Sequence, residues 1–213
     1  LVNQSMKLSF LPGEYKVYSF IPEKSAKYKL ESLAEKDLDA YLYDENGKLL
    51  ALGFDRRMKV YFDERDDWLD DWNIELSYKY SKGKTYYFLV KNASADHVAK
   101  GSLAIIDHKT FKQDVTVEFS DVKNTKKGVS LSWKKNPRVD GYRLYMDDGY
   151  QECDPSDDSF EDSLYMELIA ELNADTDNYT VGLPDSNWHQ FRLVGYICGE
   201  ETDYSKIYSW KYL

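Results

Sequence analysis

Apolar and polar residues alternate in short runs along the first half of the chain, and no run of ten or more residues keeps a helical period. Alternation with a period of two is typical of strands that are buried on one face. Turn signals separate the runs, and Asn46-Gly47 is a strong hairpin signal because both residues tolerate a positive φ. The pattern predicts strands at Tyr15–Phe20, Ala26–Leu30, Leu38–Tyr43, Leu49–Phe54, Ile74–Tyr80, Thr85–Val90 and Ser102–Ile106. For residues 63–72 we expect a turn or two of helix.

The second half repeats this pattern, and a polar stretch at residues 107–113 separates the two sets of runs. The predicted strands are Val115–Phe119, Val129–Trp133, Tyr142–Met146, Tyr165–Leu172, Tyr179–Val181, Phe191–Tyr196 and Lys206–Lys211. Many short strands at this spacing indicate sandwiches or barrels. We therefore expect an all-β protein with two tandem β-sandwiches, in residues 1–108 and 113–213, joined by a short linker at residues 109–112.

Composition and charge agree with this fold class and exclude several functions. Aromatic residues make up 15% of the 213 residues, and they favour the pleated surface of a strand. The formal net charge is −10, so we expect no nucleic-acid partner, which would need a basic surface. No apolar run is long enough to span a bilayer, and we expect no membrane insertion. The whole excess of negative charge lies in residues 113–213, because residues 1–112 hold 18 basic and 18 acidic side chains.

The second half resembles a fibronectin type III domain, an immunoglobulin-like sandwich. The resemblance rests on Gly128-Val129-Ser130-Leu131-Ser132-Trp133, on Val139-Asp140-Gly141-Tyr142-Arg143-Leu144-Tyr145 and on Phe191-Arg192-Leu193-Val194-Gly195-Tyr196. It implies that Trp133 on the second strand is buried and that Tyr142 on the third strand belongs to the opposite sheet. The corner tyrosine of the family would fall near His189, which the resemblance places at a strand corner.

The first half resembles the bacterial pre-peptidase C-terminal domain, a jelly-roll-like sandwich. The resemblance rests on the ordered series Gly13 to Phe20, Asp39 to Asp44, Asn46-Gly47, Gly53 to Asp55, Gly83 to Val90 and Gly101 to Ile105. Arg56 stands where that family commonly has a second Asp. Both resemblances imply a non-catalytic module of an exported bacterial protein.

The segment Asp66–Trp72 places two tryptophans among four aspartates, and two interpretations remain open. In one, Trp68 and Trp72 form a platform for sugar rings, and Asp67 and Asp71 accept hydrogen bonds from sugar hydroxyls. Tryptophan suits this task because it combines a large rigid surface with a polar group. In the other interpretation, which we favour on the pattern alone, a helical turn packs the tryptophans over the end of the sandwich.

Residues 147–162 hold eight acidic residues and neither Lys nor Arg. Calcium prefers about six to eight oxygen ligands, and clustered aspartates supply them. The candidate calcium ligands are Asp147, Asp148, Asp154, Asp157 and Asp158. Because no Asp-x-Asp-x-Asp-Gly loop is present, we favour a solvated acidic loop without a metal, and a basic partner docked on this loop is a further interpretation.

No catalytic constellation stands out in the sequence. His97, His108 and His189 lie beside no recognisable nucleophile motif, and pairs of acids are expected by chance among 38 Asp and Glu. We therefore expect no enzyme activity. Cys153 and Cys198 are compatible with one disulfide or with two unpaired thiols, and we favour the thiols.

We expect a non-catalytic, secreted or cell-surface bacterial protein that acts in adhesion or binds an extracellular protein or polysaccharide. Two alternatives stay open: an accessory region that targets a secreted hydrolase, and a carbohydrate-binding module that uses Trp68 and Trp72. Calcium is the single cofactor with support in the sequence. The chain begins at Leu1, and both removal of a leader and trimming of the chain account for this start.

Overall fold

The computed structural model describes residues 2–62, 65–147, 166–182, 188–201 and 207–211. Within these ranges, only the backbone is described for residues 54–72, 188 and 207–211. The chain divides into two compact units, residues 1–111 and residues 112–213. Each unit is built almost wholly from antiparallel strands.

The first unit contains eight strands that pair in one continuous antiparallel sheet. They are β1 (Ser5–Phe10), β2 (Tyr15–Phe20), β3 (Ala26–Ala34), β4 (Leu38–Asp44), β5 (Leu49–Phe62), β6 (Arg65–Tyr80), β7 (Tyr86–Asn92) and β8 (Ala99–Ile106). The order across the sheet is β1-β8-β3-β6-β5-β4-β7-β2, so most neighbouring strands are distant in sequence. This order brings β2, β4, β5 and β7 side by side.

The sheet of the first unit folds into two layers, and β5 belongs to both. Its first residues pair with β4, whereas residues from Phe54 onward pair with β6. Aromatic side chains from the two layers meet in the core: the ring centroids of Phe20 and Tyr28 lie 5.3 Å apart, and those of Phe20 and Tyr80 lie 5.4 Å apart. Both pairs are edge-to-face, which is the favoured arrangement for aromatic rings.

The turn between β4 and β5 follows the Asn46-Gly47 signal. Gly47 has a φ of 79°, a left-handed conformation that glycine adopts without steric cost. Its N–H donates to the carbonyl of Asp44 at 3.0 Å, and the Asp44 carboxylate accepts the N–H groups of Asn46 and Lys48, each at 2.9 Å. The local sequence therefore determines this hairpin.

The prediction of helix for residues 63–72 is wrong, because residues 65–72 form the first part of strand β6. They pair in register with β5, so that Arg56 lies opposite Asp71 and Arg57 lies opposite Asp70. In the strand, the backbone groups of these residues form inter-strand hydrogen bonds with β5. Opposite charges on facing positions also favour this pairing.

The predicted linker and the predicted strand Val115–Phe119 are replaced in part by the helix α1 (His108–Val115). Asp107 caps this helix: its carbonyl accepts the N–H groups of Thr110 and Phe111, and its Oδ1 accepts the N–H of Lys109 at 3.1 Å. A short helix is stable here because it has a capping aspartate. Strand pairing then begins at Phe119.

The second unit has a three-stranded sheet in the order β13-β10-β9 and a five-stranded sheet built from β11, β12, β14, β15 and β16. The strands are β9 (Phe119–Thr125), β10 (Gly128–Trp133), β11 (Gly141–Asp147), β12 (Met166–Asn173), β13 (Asn178–Val181), β14 (Trp188–Ile197), β15 (Glu200–Glu201) and β16 (Ile207–Lys211). Trp133 and Tyr142 lie on different sheets, both are buried, and their ring centroids are 5.5 Å apart. These are the positions that the fibronectin type III resemblance implied.

The predicted all-β fold class is confirmed. Among the described residues, α1 is the one helix, and no helix is long and apolar enough to cross a membrane.

Candidate functional site

One outer surface of the first unit carries an unusual set of side chains. Strand β7 alternates strictly, with Tyr86, Phe88 and Val90 in the core and Tyr87 and Leu89 on the outside. Because successive side chains of a strand point to opposite faces, an aromatic or aliphatic residue at both kinds of position leaves an apolar outer surface. The same arrangement recurs on β2, β4 and β5.

The pairing register aligns these outer residues in rows across the four strands. Val17 lies opposite Leu89, Leu89 lies opposite Tyr41, and Tyr41 lies opposite Leu52. In the next row, Tyr87 pairs with Tyr43. Residues that pair directly across antiparallel strands have Cβ atoms about 5 Å apart, so each row is a continuous strip of side chains.

The tyrosine face is our name for this surface, and its members are Tyr15, Val17, Tyr41, Tyr43, Leu49, Leu52, Tyr87 and Leu89. Eleven large hydrophobic side chains stand out as exposed among the described residues, and five of them belong to the tyrosine face. Tyr15 is 62% exposed, Val17 56% and Leu52 46%. Contiguous exposed apolar surface is uncommon on soluble proteins and marks sites of interaction.

Polar groups accompany the apolar strips. The tyrosines carry hydroxyls at the tips of their rings, and Lys91 and Asp39 lie opposite each other in the row that begins at Tyr15. Such a surface contacts apolar groups through its rings and hydrogen-bonds through its rim. It therefore suits a ligand that is itself amphipathic, such as a protein segment or a sugar chain.

The sequence-predicted tryptophan site lies elsewhere, on the part of β6 that pairs with the end of β5. Trp68 lies opposite Lys59, Asp67 opposite Val60 and Asp71 opposite Arg56. Trp72 is in the same strand. The side chains of these four residues lie outside the described part of the chain, so the sugar platform stays a prediction.

Of the five candidate calcium ligands, Asp147 is the one within the described residues. It ends β11, and its Oδ1 accepts the N–H of Gln190 at 2.9 Å and lies 4.0 Å from Nδ1 of His189. Asp148, Asp154, Asp157 and Asp158 lie outside the described ranges, as does Cys153. The described residues contain no group of three or more His, Cys, Asp or Glu arranged to hold a metal ion.

The histidines occupy three different settings. His189 is buried near the start of β14, where its backbone pairs with Trp210 of β16. His97 lies in an exposed turn, with Nδ1 2.6 Å from Oδ1 of Asp96. The hydrogen bonds from His97 and Ser94 lower the pKa of Asp96. The serine hydroxyl and the imidazole thus both contact the carboxylate rather than each other, an arrangement that stabilises the turn.

A charged network that the sequence did not reveal lies on the five-stranded sheet of the second unit. Arg143 donates through Nε to Oε2 of Glu171 at 3.1 Å and through Nη1 to Glu201. The hydroxyl of Tyr145 donates to Glu201 at 2.9 Å, and that of Tyr196 donates to Glu171 at 3.3 Å. Burial and Glu201 raise the pKa of Tyr145 to about 12, and burial and Glu171 raise that of Tyr196 to about 12. Each carboxylate accepts hydrogen bonds from Arg143 and from one tyrosine, so the network connects the strands of this sheet.

Sequence reasoning missed the tyrosine face, although its individual members were visible. Tyr41, Tyr43, Tyr87 and Leu89 stand at alternate positions of predicted strands, next to equally apolar inward positions. An unbroken apolar run in an antiparallel strand is the signal, since a half-exposed strand would otherwise carry polar residues on one side.

No family model matches the chain, and no curated protein matches it. Solved structures do show similarity. A β-1,2-glucanase from Parabacteroides distasonis aligns over 98% of this chain with 11% sequence identity and a TM-score of 0.34. The alignment covers 32% of that chain, so the present chain spans about a third of the glucanase.

Two fibronectin type III structures are also similar. The FN1–FN3 domains of chicken CNTN1 align over 83% of this chain and 57% of that chain, with 9% identity and a TM-score of 0.35. A segment of two fibronectin type III domains from chicken tenascin aligns over 93% of this chain and 96% of that chain, with 13% identity and a TM-score of 0.31. At TM-scores this low, the similarity carries no argument about function.

Proposed function

We propose that this chain is a non-catalytic binding module of a secreted or cell-surface protein, and that it holds its ligand on the tyrosine face. The exposed apolar surface formed by β2, β4, β5 and β7 is the observation that supports the proposal. Leaving such a surface in water is unfavourable by about 25 cal/mol for each Å² of apolar area, so covering it by a ligand is favourable.

The proposed ligand is an extracellular protein or a polysaccharide. Residues on the tyrosine face sit on paired strands, and a rigid sheet holds a binding surface in place at low entropic cost. Tyrosine rings offer apolar area with few rotatable bonds, and their hydroxyls give the contacts direction. The role would be adhesion, or the targeting of a hydrolase in the same polypeptide to its polymer.

An array of extracellular matrix proteins and polysaccharides tests the proposal. We expect the wild-type protein to bind at least one class, and the variant Tyr87→Ala/Leu52→Ser to lose most of that binding. Leu33→Ala is the matched control, because Leu33 is similarly exposed, at 40%, but lies on β3 outside the tyrosine face. Equal binding by the wild-type protein and the face variant would place the ligand elsewhere and contradict the proposal.

A second variant, Trp68→Ala/Trp72→Ala, tests the alternative carbohydrate site and distinguishes it from the tyrosine face. Loss of polysaccharide binding in this variant, with no loss in the Tyr87→Ala/Leu52→Ser variant, would assign binding to the end of the β5–β6 hairpin. The two variants change different strands, so each result identifies one site.

A further inference from the structure

A groove of about 600 Å³ lies on the outer surface of β3 and β6, beside the start of α1. Its charged lining residues are Lys27, Lys29, Lys79, Lys109, Glu75 and Asp107. This surface is distinct from the tyrosine face, which is formed by other strands of the same unit. The groove lies in residues 1–112, where 18 basic and 18 acidic side chains balance, so its four lysines are not opposed by a negative excess in this unit.

Two of these lysines face each other directly. Lys27 on β3 pairs with Lys79 on β6 in the strand register, and both side chains are exposed. Like charges at directly opposed positions destabilise a sheet. Within the described part of the chain, neither ammonium group forms an ion pair. An anion bound between them would relieve this repulsion.

The other charged residues of the groove form ion pairs with one another and with neighbouring residues. Lys29 forms ion pairs with the buried Glu31 and, at 3.4 Å, with Glu75. Lys24 contacts Oδ2 of Asp107 at 2.6 Å, and the Asp107 carboxyl is almost fully buried. These two lysines and three acids together carry a net charge of −1, which offsets only part of the +2 that Lys27 and Lys79 bring.

Lys109 adds a positive group from the first turn of α1. The backbone N–H groups at this helix start are already bound to Asp107, so they do not serve as an anion site. The charged lining residues, together with Lys24 and Glu31 that contact them, amount to five lysines and three acids. Its attraction for anions thus comes from side-chain ammonium groups.

We infer that this groove binds an acidic polysaccharide, whose sulfate or carboxylate groups lie between Lys27 and Lys79 and near Lys109. The positive groups of the groove are complementary to the anionic groups of such a chain. A single-stranded nucleic acid fits less well, because its bases bind by stacking on exposed aromatic rings, and Tyr28, the tyrosine of the groove, is buried. The site is independent of the ligand proposed for the tyrosine face.

Heparin and polygalacturonate are the probes, with uncharged dextran and single-stranded oligo(dT) for comparison. We expect binding to both acidic polysaccharides, weaker at physiological than at low salt, and no binding to dextran. Lys27→Gln/Lys79→Gln should weaken this binding about tenfold or more, because it removes two ion pairs. The control Lys48→Gln/Lys100→Gln has the same net charge and changes exposed lysines outside the groove, so it should bind as the wild type does.

The melting temperature of the free protein gives a second readout. Removing one of two facing lysines relieves repulsion, so Lys79→Gln should raise the Tm while it weakens polysaccharide binding. A lysine with a purely structural role would lower the Tm on replacement. Heparin binding that Lys27→Gln/Lys79→Gln loses and Tyr87→Ala/Leu52→Ser retains belongs to the groove, and the reverse pattern belongs to the tyrosine face.

Three outcomes would overturn the inference. The first is no binding of either acidic polysaccharide by the wild-type protein. The second is an equal loss of binding in the groove variant and in the charge-matched control, which would indicate a general charge effect. The third is groove-dependent binding of oligo(dT) without binding of heparin, which would assign the groove to a nucleic acid.

Discussion

Glu31 is fully buried in the first unit, and its charge is balanced mainly by Lys29, two residues away on the same strand. Burial of a carboxylate is costly, and a cation beside it offsets part of that cost. Lys29 is itself largely shielded, with 14% of its side chain exposed, so solvent screens this ion pair weakly. Replacing a buried pair of this kind by two apolar side chains is often neutral for stability, whereas removing one partner is strongly destabilising.

Lys29→Met should lower the free energy of unfolding by about 3–5 kcal/mol, because it leaves the Glu31 carboxylate buried without its cation. The double variant Lys29→Met/Glu31→Leu should recover most of this loss, since two apolar side chains of similar size fill the space. Urea unfolding of the wild type, both single variants and the double variant measures the interaction free energy between Lys29 and Glu31. If the double variant is as unstable as Lys29→Met alone, the two residues do not act as a pair.

At the scale of elements, the sequence predicted strands that are set by their own turn residues or alternation. It did not predict strands that form because another strand pairs with them. The β4–β5 hairpin follows from Asn46-Gly47, whose conformation is local. Residues 65–72 are rich in aspartate and lack the alternation of a strand, and they form one because β5 continues opposite them. The start of α1 had a signal in Asp107, followed by Phe111 and Val115 at helical spacing, but the segment is too short for a clear period.

The tyrosine face depends on which strands are neighbours, and this information is not local. Tyr87 meets Tyr43 because β7 lies between β4 and β2, although β5 and β6 separate β4 from β7 in the sequence. Alternation along one strand shows which residues share a side of that strand, but it does not show which strand lies beside it. The groove was hidden for the same reason, because Lys27 and Lys79 are 52 positions apart and meet through pairing of β3 with β6.

The side-chain network around Arg143 connects four strands of the second unit. Arg143 and Tyr145 lie on β11, Glu171 on β12, Tyr196 on β14 and Glu201 on β15. The guanidinium also stacks over the ring of Tyr196, with Cζ 4.7 Å from its centroid. The short strand β15 pairs with β14 through only two residues, so Glu201 gives it a side-chain connection to β11.

Raising the pH above about 10 should destabilise the second unit. The pKa values of Tyr145 and Tyr196 rise to about 12 in the folded state, whereas unfolded tyrosine ionises near about 10. The unfolded chain then loses protons first, so stability is present below about pH 10 and falls above it, by up to about 1.4 kcal/mol per pH unit for each group. Tyr145→Phe should reduce this slope in urea unfolding followed by far-ultraviolet circular dichroism. The same slope in wild type and variant would contradict the role of Tyr145.

At the scale of the whole molecule, charge is distributed unevenly between the two parts of the sequence. Residues 1–112 are balanced, whereas residues 113–213 carry 10 basic and 20 acidic side chains. Like charges within one unit repel each other and destabilise its compact state. The acids are most concentrated in residues 147–162, where eight lie without a basic residue. The stability of the second unit should therefore respond to cations more than that of the first.

A comparison of calcium with sodium and magnesium distinguishes a specific calcium site from general screening of the acidic side chains. Sodium chloride should protect the amides of the second unit from hydrogen exchange more than those of the first, because it screens the acidic residues. If Asp147, Asp148, Asp154, Asp157 and Asp158 form a site, calcium at equal ionic strength adds protection by mass action, and Asp154→Asn/Asp157→Asn removes the addition. Because Asp147 already accepts the N–H of Gln190, we expect screening alone, with equal protection by sodium, magnesium and calcium. Extra protection by calcium that the double variant abolishes would show that this expectation is wrong and assign the metal site to the acidic segment.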